Sequence, residues 1–477
     1  MQRQTHHVSS RGGNSAANGL LVKAQNHLAR KELPLAQAIY QRILRTDAGN
    51  LVARRNMGAT LVEQDKLEQA LIHYELALKY HPNDAELHYS IGVITQRFNK
   101  LYEAMGHYLR AIELRPQHIE AFENLANIQT QLCLYDDALT SYQHILDIEP
   151  GRESTLYSMS LILLLHGNFK KGWELYEYRW ATADFGNKNP DEVKRIWNHP
   201  SELSGKSVLV VHEQGFGDTI QFCRYALVMA NLNAQVTLLV QEELVTLLES
   251  LNNFSLPNKI EIKGKKELDD NIKYDYFLPM LSTPFALQDH IKGIPDVGKY
   301  IWNNEKSNIK WKNKIKNNGL MKIGVAWNGN PKHKNDINRS INIDIFRSIF
   351  EENAEFHLLT NFIDKTTQNK VEEYPNVKLW TQEIEDFTDT CALISCMDLI
   401  ISVDTSIAHL AGATNVPCKL LLPAAPDFRW LLNTNKTPWY KSIEIYRSNK
   451  SFDWDKLILR LKNDLNHAIS DHKKKEK

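Results

Sequence analysis

Three polar loops in the second half of the chain carry side chains that can bind or activate a charged ligand. The first, His-Glu-Gln-Gly-Phe-Gly-Asp-Thr at 212–219, follows an apolar run. Gly215 and Gly217 allow a tight turn and close approach by a ligand. We expect Asp218 at the N-terminus of the next helix, either as a simple N-cap, which position alone favours, or as a carboxylate general base. A dinucleotide fingerprint would need a third glycine where Ile220 stands, and the chain has no Walker-type loop.

The second loop, at 327–340, follows another apolar run and is long, polar and basic. Its donor side chains are those of Asn330, Lys332, His333, Lys334 and Arg339. A cluster of hydrogen-bond donors at the end of a strand suits a phosphate or a diphosphate. A solvated basic loop is an equally good interpretation of the residues alone.

The third loop, at 402–409, begins at the end of a further apolar run. Asp404 is expected to cap a new helix, and Thr405 and Ser406 offer free backbone amides, so the helix start is a ready anion site. Thr405 and His409 are four residues apart and share one face of that helix. A lone histidine on a helix is usually structural, but a place one turn from an anion-binding terminus favours a functional role.

Strands alternating with helices must position these loops. Near-continuous apolar runs predict two sets of parallel strands, at 207–211, 236–240 and 276–278, then at 322–327, 355–359, 398–403 and 418–422. A Lys- and Asn-rich stretch without apolar periodicity separates the two sets and is interpreted as a linker. Two Rossmann-like domains would then face each other across a cleft, with ligands at the carboxyl ends of the strands.

The composition is that of an ordinary globular protein and excludes several functional classes. Apolar residues make up 43% and charged residues 24% of the chain, and 57 basic side chains balance 57 acidic ones. There is therefore no global basic field for nucleic acid, and no apolar run approaches the ~20 residues of a membrane helix. Five scattered cysteines favour reduced thiols and a cytoplasmic location. The polar N-terminus is interpreted as a disordered leader.

The first third of the chain contains an internal repeat with a step of 34 residues. Residues in one phase are Ala36, Ala70, Ala104, Ala138 and Gly172, then Tyr40, Tyr74, Tyr108, Tyr142 and Tyr176, and finally Pro82, Pro116 and Pro150. Each unit predicts a helical hairpin in which the small residue allows close approach, the tyrosine packs across, and the proline ends the second helix. Extra aromatic residues in the last unit, Trp173, Tyr178 and Trp180, indicate a face that packs against the next domain.

These patterns resemble known families. The step and its Gly/Ala, Tyr and Pro offsets resemble the tetratricopeptide repeat. The segments 214–218, 327–331 and 403–412 resemble bacterial tetratricopeptide proteins that end in a glycosyltransferase domain. That domain is similar to the family 9 glycosyltransferases, the lipopolysaccharide heptosyltransferases. The overall plan, across roughly residues 20–450, is similar to that of O-GlcNAc transferase.

The resemblance implies an inverting, metal-independent transferase with a GT-B fold. In the family, the aspartate of the Gly-Asp turn is the base, which corresponds to Asp218. The family's Asp-Thr-Gly-x-x-His stretch holds the donor diphosphate, which corresponds to Asp404, Thr405 and His409. Ser406 replaces the family's glycine and narrows the approach of a phosphate to the backbone. Heptosyltransferases lack the repeat array, so a lipopolysaccharide acceptor is not carried over.

The expected mechanism follows from this placement. The acceptor hydroxyl attacks the anomeric carbon while Asp218 removes its proton. Negative charge on the departing nucleotide diphosphate is stabilised by Arg339, Lys334, His409 and the helix amides. The complete expected donor site comprises Gly215, Gly217, Asn330, Lys334, Arg339, Asp404, Thr405, Ser406 and His409. No metal and no cofactor beyond the nucleotide-sugar co-substrate is expected.

The sequence thus predicts an N-terminal α-solenoid followed by a GT-B type pair of Rossmann-like domains. The expected segments are a leader at 1–19, about five repeats at 20–181, an N-terminal half at 205–300, a linker at 301–322, a nucleotide-sugar-binding half at 323–450, and a C-terminal helix with a basic tail at 451–477. The array would recruit a protein or glycan acceptor, and neither a nucleic-acid partner nor a transmembrane segment is expected. The alternative is a non-catalytic scaffold that binds a nucleotide or a partner.

Overall fold

The computed structural model describes residues 11–182, 185, 203–264, 274–287, 293–331, 336–360, 363–449 and 453–475. The chain divides into two compact units, Met1–Thr155 and Leu156–Lys477. Among the described residues, no helix is both long enough and apolar enough to cross a membrane.

Antiparallel helical hairpins form the N-terminal part. The helices are α1 (Arg11–Ala29), α2 (Leu33–Thr46), α3 (Leu51–Glu63), α4 (Leu67–Tyr80), α5 (Ala85–Arg97), α6 (Leu101–Leu114), α7 (Ile119–Gln131), α8 (Tyr135–Ile148), α9 (Glu153–Leu165) and α10 (Phe169–Tyr176). The residues that recur every 34 positions have the packing roles that the repeat pattern predicts. Ala70 and Ala104 are fully buried, and an added Cβ on Gly92 would lie 2.7 Å from Cε1 of Tyr108. The tetratricopeptide-like hairpins are confirmed.

The turn inside each hairpin shows a second feature of the same period. Lys31, Asp65, Asn99, Cys133 and Gly167 all have positive φ, from 57° to 78°. A left-handed residue at this point ends the first helix and redirects the chain into the second. Only one of the five is a glycine, so residue type alone did not reveal this repeat position.

Two sheets of parallel strands follow. The strands are β1 (Ser207–Val211), β2 (Gln235–Val240), β3 (Glu261–Gly264), β4 (Tyr276–Pro279), β5 (Lys322–Ala326), β6 (Glu355–Leu358), β7 (Val377–Lys378), β8 (Leu399–Val403), β9 (Cys418–Leu422) and β10 (Ile443–Arg447). Their orders are β3-β2-β1-β4 and β10-β9-β8-β5-β6-β7. Central strands such as β8 are buried along their whole length, which explains their continuous apolar sequence. This is the expected pair of Rossmann-like sheets, consistent with a GT-B-like arrangement.

Short helices flank the sheets. They are α11 (Phe216–Phe222), α12 (Arg224–Asn231), α13 (Val245–Leu248), α14 (Thr283–Ala286), α15 (Glu305–Lys314), α16 (Asp336–Arg339), α17 (Ile343–Phe346), α18 (Lys365–Glu372), α19 (Phe387–Ile394), α20 (Ser406–Ala413) and α21 (Trp454–Lys475). Helices α11 and α20 matter most here, because each starts directly after a strand-end loop. The long α21 packs through Leu461 and Leu465 into the core of the second sheet.

Two segments that the sequence predicts as irregular are helical instead. Residues 11–19, assigned to the disordered leader, belong to α1, while residues 1–10 lie outside the described part. The expected linker at 301–322 contains α15. Its Trp311 is fully buried and donates to Asp389 at 2.9 Å, and Lys310 binds the other oxygen at 2.6 Å. One buried tryptophan and one ion pair hold this helix in place, so it packs without an apolar stripe along one face.

The last hairpin packs against the first sheet's helices, as its extra aromatic residues predict. Trp173 makes edge contacts with Phe222 and Phe428, at centroid distances of 5.9 and 5.8 Å. The hairpin formed by α9 and α10 lies almost wholly in the second compact unit, which starts at Leu156.

Candidate functional site

Two of the three strand-end loops meet at the N-termini of α11 and α20. An added Cβ on Gly217 would lie 2.9 Å from Cδ2 of His409 and 3.5 Å from Cα of Ser406. From the sequence we expect a ligand to approach Gly217 closely, but the structure places the ring of His409 in that space. Gly215 is the N-cap of α11 with φ −72°, a value open to any residue, so no tight turn requires a glycine there.

Asp218 is the third residue of α11 and not its N-cap. Its Oδ2 accepts the backbone N–H of Gly215 at 3.0 Å, which satisfies one orphan donor of the helix. Its Oδ1 accepts a hydrogen bond from Nη2 of Arg429 within an ion pair. Burial raises the pKa of Asp218, and the Arg429 guanidinium opposes that rise. The expected base is therefore present as half of an ion pair between the two sheets.

Arg429 is the central residue that the sequence did not single out. It lies in a short 3₁₀ turn, Phe428–Trp430, in the loop after β9. Its Nε donates to Oε1 of Gln221 and its Nη1 to Oδ1 of Asp427, each at 2.8 Å. The guanidinium also lies over the ring of Phe428, 4.4 Å from its centroid. The place of an arginine in the loop that follows a strand was the signal available from the sequence.

Asp404 does not cap α20, because Thr405 occupies the N-cap position. The backbone carbonyl of Asp404 accepts Nη1 of Arg339 at 2.9 Å. Burial, with the charge of Asp427, raises the pKa of Asp404 to about 6 against the opposing influence of Arg429 and Arg339. Thr405 makes no side-chain capping bond to the described part of α20, and its hydroxyl lies 3.2 Å from that of Ser402.

The second loop reaches this centre through Arg339. Its Nε binds Oδ1 of Asp336 at 3.2 Å, so its charge is already paired. The backbone of Gly329 passes so close that an added Cβ would lie 2.6 Å from Nη2 of Arg339. Asn330 is exposed, and Lys334, with Lys332 and His333, lies outside the described residues.

His409 is buried, with 5% of its surface exposed. Its Nδ1 lies 3.0 Å from the hydroxyl of Tyr440, its ring stacks on Trp430 at 5.2 Å, and its Nε2 is 3.9 Å from Oδ1 of Asp404. Burial and three nearby guanidinium groups, led by Arg429, hold its pKa well below the usual range. His409 is thus a neutral imidazole that can offer a hydrogen bond but not a positive charge.

Glu213, the other carboxylate of the first loop, belongs to a separate buried network. It binds Arg179 at 2.9 Å and accepts the backbone N–H of Leu281 at 2.7 Å. Arg179 also binds Glu177 at 2.9 Å and donates to Ser282 at 2.7 Å. These contacts connect the last hairpin to the first loop, and they give Glu213 a structural role in that connection.

Two guanidinium groups are already paired with carboxylates where the loops meet. Asp218, Asp404 and Asp427 surround Arg429, and Arg339 is paired with Asp336. Within the described ranges, no three or more His, Cys, Asp and Glu side chains are grouped to hold a metal ion. An anionic ligand that binds either of these guanidinium groups must therefore share it with, or displace, a carboxylate that is already bound.

No protein-family model matches the chain. Among curated proteins, protein FlbA of Caulobacter vibrioides is 20% identical over 327 residues, which cover 64% of this chain and 54% of FlbA. The match thus spans about half the length of that relative.

Solved tetratricopeptide structures align with parts of the chain. YrrB, titled a TPR protein with an unusual peptide-binding site, is 20% identical with a TM-score of 0.32, covering 36% of this chain and 92% of its own. Pseudomonas aeruginosa PilF is 19% identical with a TM-score of 0.33, covering 38% and 80%. A tetratricopeptide repeat protein of Parabacteroides merdae is 19% identical with a TM-score of 0.33, covering 35% and 66%.

Proposed function

We propose that the protein is an inverting, metal-independent glycosyltransferase, similar to the family 9 enzymes, that uses a nucleotide-sugar donor. The observation that carries the proposal is the meeting of α11 and α20, the helices that follow β1 and β8, in which Gly217 packs on His409. Ligands of open parallel sheets bind at the carboxyl ends of strands, and here two sheets bring such ends together.

The two helix starts offer complementary chemistry. Asp218 from the first sheet supplies a carboxylate for the acceptor hydroxyl. The start of α20 supplies backbone N–H groups at Ser406 and Ile407, without a side-chain cap from Thr405. Arg339, held against the carbonyl of Asp404, lies beside that terminus. The base belongs to one sheet and the leaving-group site to the other. This arrangement suits a displacement with inversion at the anomeric carbon.

The donor site in this proposal keeps the residues that the sequence indicates, with altered roles. His409, a neutral imidazole, donates a hydrogen bond to the diphosphate, and Lys334 and Arg339 supply positive charge to it. Arg429 joins the site as a further cation. The segments at 205–300 and 323–450 are the proposed halves, and the repeats at 20–181 recruit a protein or glycan acceptor in the cytoplasm.

A non-catalytic scaffold is the second candidate, and one specific observation favours it. The Asp218–Arg429 ion pair and the buried, neutral His409 join the two sheets in the manner of structural contacts. Pairing with a guanidinium lowers the pKa of a carboxylate and so makes it a weaker base, whereas burial acts in the opposite direction at Asp218. In this alternative the same centre holds the sheets together and binds a nucleotide or a partner without turnover.

Incubation of the full-length protein with a panel of labelled nucleotide sugars separates the two candidates. A transferase releases the nucleoside diphosphate from at least one donor, by slow hydrolysis or by transfer, and Asp218→Asn slows that release. Stoichiometric nucleotide binding without release from any donor would support the scaffold.

A further inference from the structure

Arg429 holds acceptors that belong to two different parts of the second unit. Asp427 lies in its own turn, whereas Asp218 and Gln221 lie on α11. The side chain is buried, with 8% of its surface exposed, and Phe428 covers one face of the guanidinium. Two of its nitrogens stay anchored to Asp427 and Gln221 if the third changes partner.

We propose that Arg429 exchanges Asp218 for the anionic group of the ligand, so that Asp218 is masked until the donor binds. The role of the released carboxylate as base rests on the proposed function, whereas the exchange itself rests on the contacts of Arg429. The Nη2 group that leaves the carboxylate of Asp218 can donate the same kind of charge-assisted hydrogen bond to a phosphate oxygen, so the exchange replaces one oxygen acceptor with another.

Because charged groups surround Asp218, the exchange should change the number of protons that the protein binds. Among the described residues, the charged and titratable groups around this centre are Arg429, Asp427, Asp404, Arg339, Arg224, His409, Tyr440 and, from α10, Tyr176. In the free protein burial raises the pKa of Asp218 while Arg429 lowers it. When Arg429 turns to a phosphate, the lowering influence weakens and a new negative charge arrives. The pKa of Asp218 rises further, so ligand binding increases the protonated fraction of Asp218, and the fraction that stays ionised can act as base.

Calorimetric titration of the full-length protein between pH 6 and 8 measures this linkage. UDP-glucose, GDP-mannose and ADP-glucose are suitable probes, because their diphosphate diesters carry no proton that titrates in this range. Repeating each titration in two buffers of different ionisation enthalpy gives the number of protons bound. We expect fractional uptake in the parent, largest at pH 6, that disappears in Asp218→Asn, since a carboxylate that acts as base must stay mostly ionised near pH 7.

A second variant tests the cation. Arg429→Lys keeps the charge but loses the planar set of donors that holds Asp427 and Gln221 while Nη2 binds the ligand, and we expect its affinity for the same probe to fall about tenfold or more. The matched control is Arg347→Lys, since Arg347 pairs with Asp344 and Glu373 at the surface, and it should bind like the parent. Parental affinity in Arg429→Lys would overturn the exchange. If that variant does not fold, the parent and Asp218→Asn still decide.

The outcomes distinguish this inference from the proposed function. Binding without proton uptake, or equal uptake in Asp218→Asn, overturns the exchange even if sugar is transferred. Proton-linked binding without turnover of any donor supports the exchange and overturns the transferase. Failure of all three probes and of inorganic pyrophosphate to bind overturns both.

Discussion

The position that an added Cβ would take on Gly217 lies 2.9 Å from Cδ2 of His409. These two residues belong to helices that follow strands of different sheets. Their contact brings the loop that contains Asp218 against the loop that contains Asp404. The geometry of the candidate site therefore depends on the absence of a side chain at Gly217.

Gly217→Ala should separate α11 from α20. The new methyl group meets the buried His409 ring and the backbone of Ser406, neither of which can move freely. Overpacking of this kind destabilises by about 1–3 kcal/mol. Gly215→Ala is the matched control, because its Cβ would meet only Oδ2 of Asp218 at 3.6 Å, an ordinary contact. Chemical denaturation of both variants checks the prediction, and equal stabilities would contradict it.

Asp404→Asn should change stability in a pH-dependent way. The folded-state pKa of Asp404 is raised to about 6, above the roughly 3.9 of an unfolded chain. The folded state therefore binds this proton more tightly, and ionisation lowers stability as pH rises from about 4 to about 6. Asparagine does not ionise, so the variant should gain stability relative to the parent across that window and keep the gain at pH 7.

The same experiment has an internal control in Asp344→Asn. Lys370 holds the pKa of Asp344 below its ordinary value, so its stabilising ionisation is complete near pH 4. Its stability difference from the parent should stay constant between pH 4 and 7. A constant difference for Asp404→Asn as well would contradict a raised pKa at Asp404.

The architecture can be predicted from the sequence because the two patterns that indicate it, the repeat and the apolar runs, are both local. A 34-residue phase and continuous apolar runs follow from helix pairing and strand burial, and parallel strands place their following loops at one edge. Arg429 was missed because its partner Asp218 is 211 residues away, and no spacing rule reports such a contact. Helix α15 was missed because Trp311 and Lys310 anchor it without periodicity. The left-handed turn at Lys31 and Cys133 was missed because those residue types do not favour it.

Removal of residues 1–150 should leave the α/β region folded. The cut falls before α9 and spares the last hairpin, whose residues from Leu156 onward belong to the second compact unit. Donor hydrolysis should persist, while transfer to a large acceptor should fall more steeply, because the recruiting array is gone. Equal loss of both activities in a folded truncation would indicate that the array is structural.

Removal of residues 1–181 is the matched comparison, and it should unfold the region. It deletes Trp173, which packs on Phe222 and Phe428, and Arg179, which binds Glu213. Aromatic surface that the hairpin buries becomes exposed, at a cost of roughly 25 cal/mol per Å². A melting temperature equal to that of the shorter truncation would show that the Arg179–Glu213 network contributes little.

Turnover should not require a divalent cation. In the proposed site Arg339, Lys334, Arg429 and the amides of α20 stabilise the leaving diphosphate. Donor release measured with and without a chelator checks this. Loss of release on chelation, with recovery on adding magnesium or manganese, would show that the leaving-group site is assigned wrongly.

Asp218→Asn, compared with Asp389→Asn, tests the central claim most directly. Asp389 is likewise the third residue of its helix, α19, and is paired with Lys310, so each variant loses one paired carboxylate, 17% exposed at Asp218 and 5% exposed at Asp389. We expect similar losses in melting temperature but different kinetics. Donor turnover should fall about 10²–10⁴-fold in Asp218→Asn, with donor affinity equal to or tighter than that of the parent, and stay near parental in Asp389→Asn. Near-parental turnover in a folded Asp218→Asn protein would contradict the account.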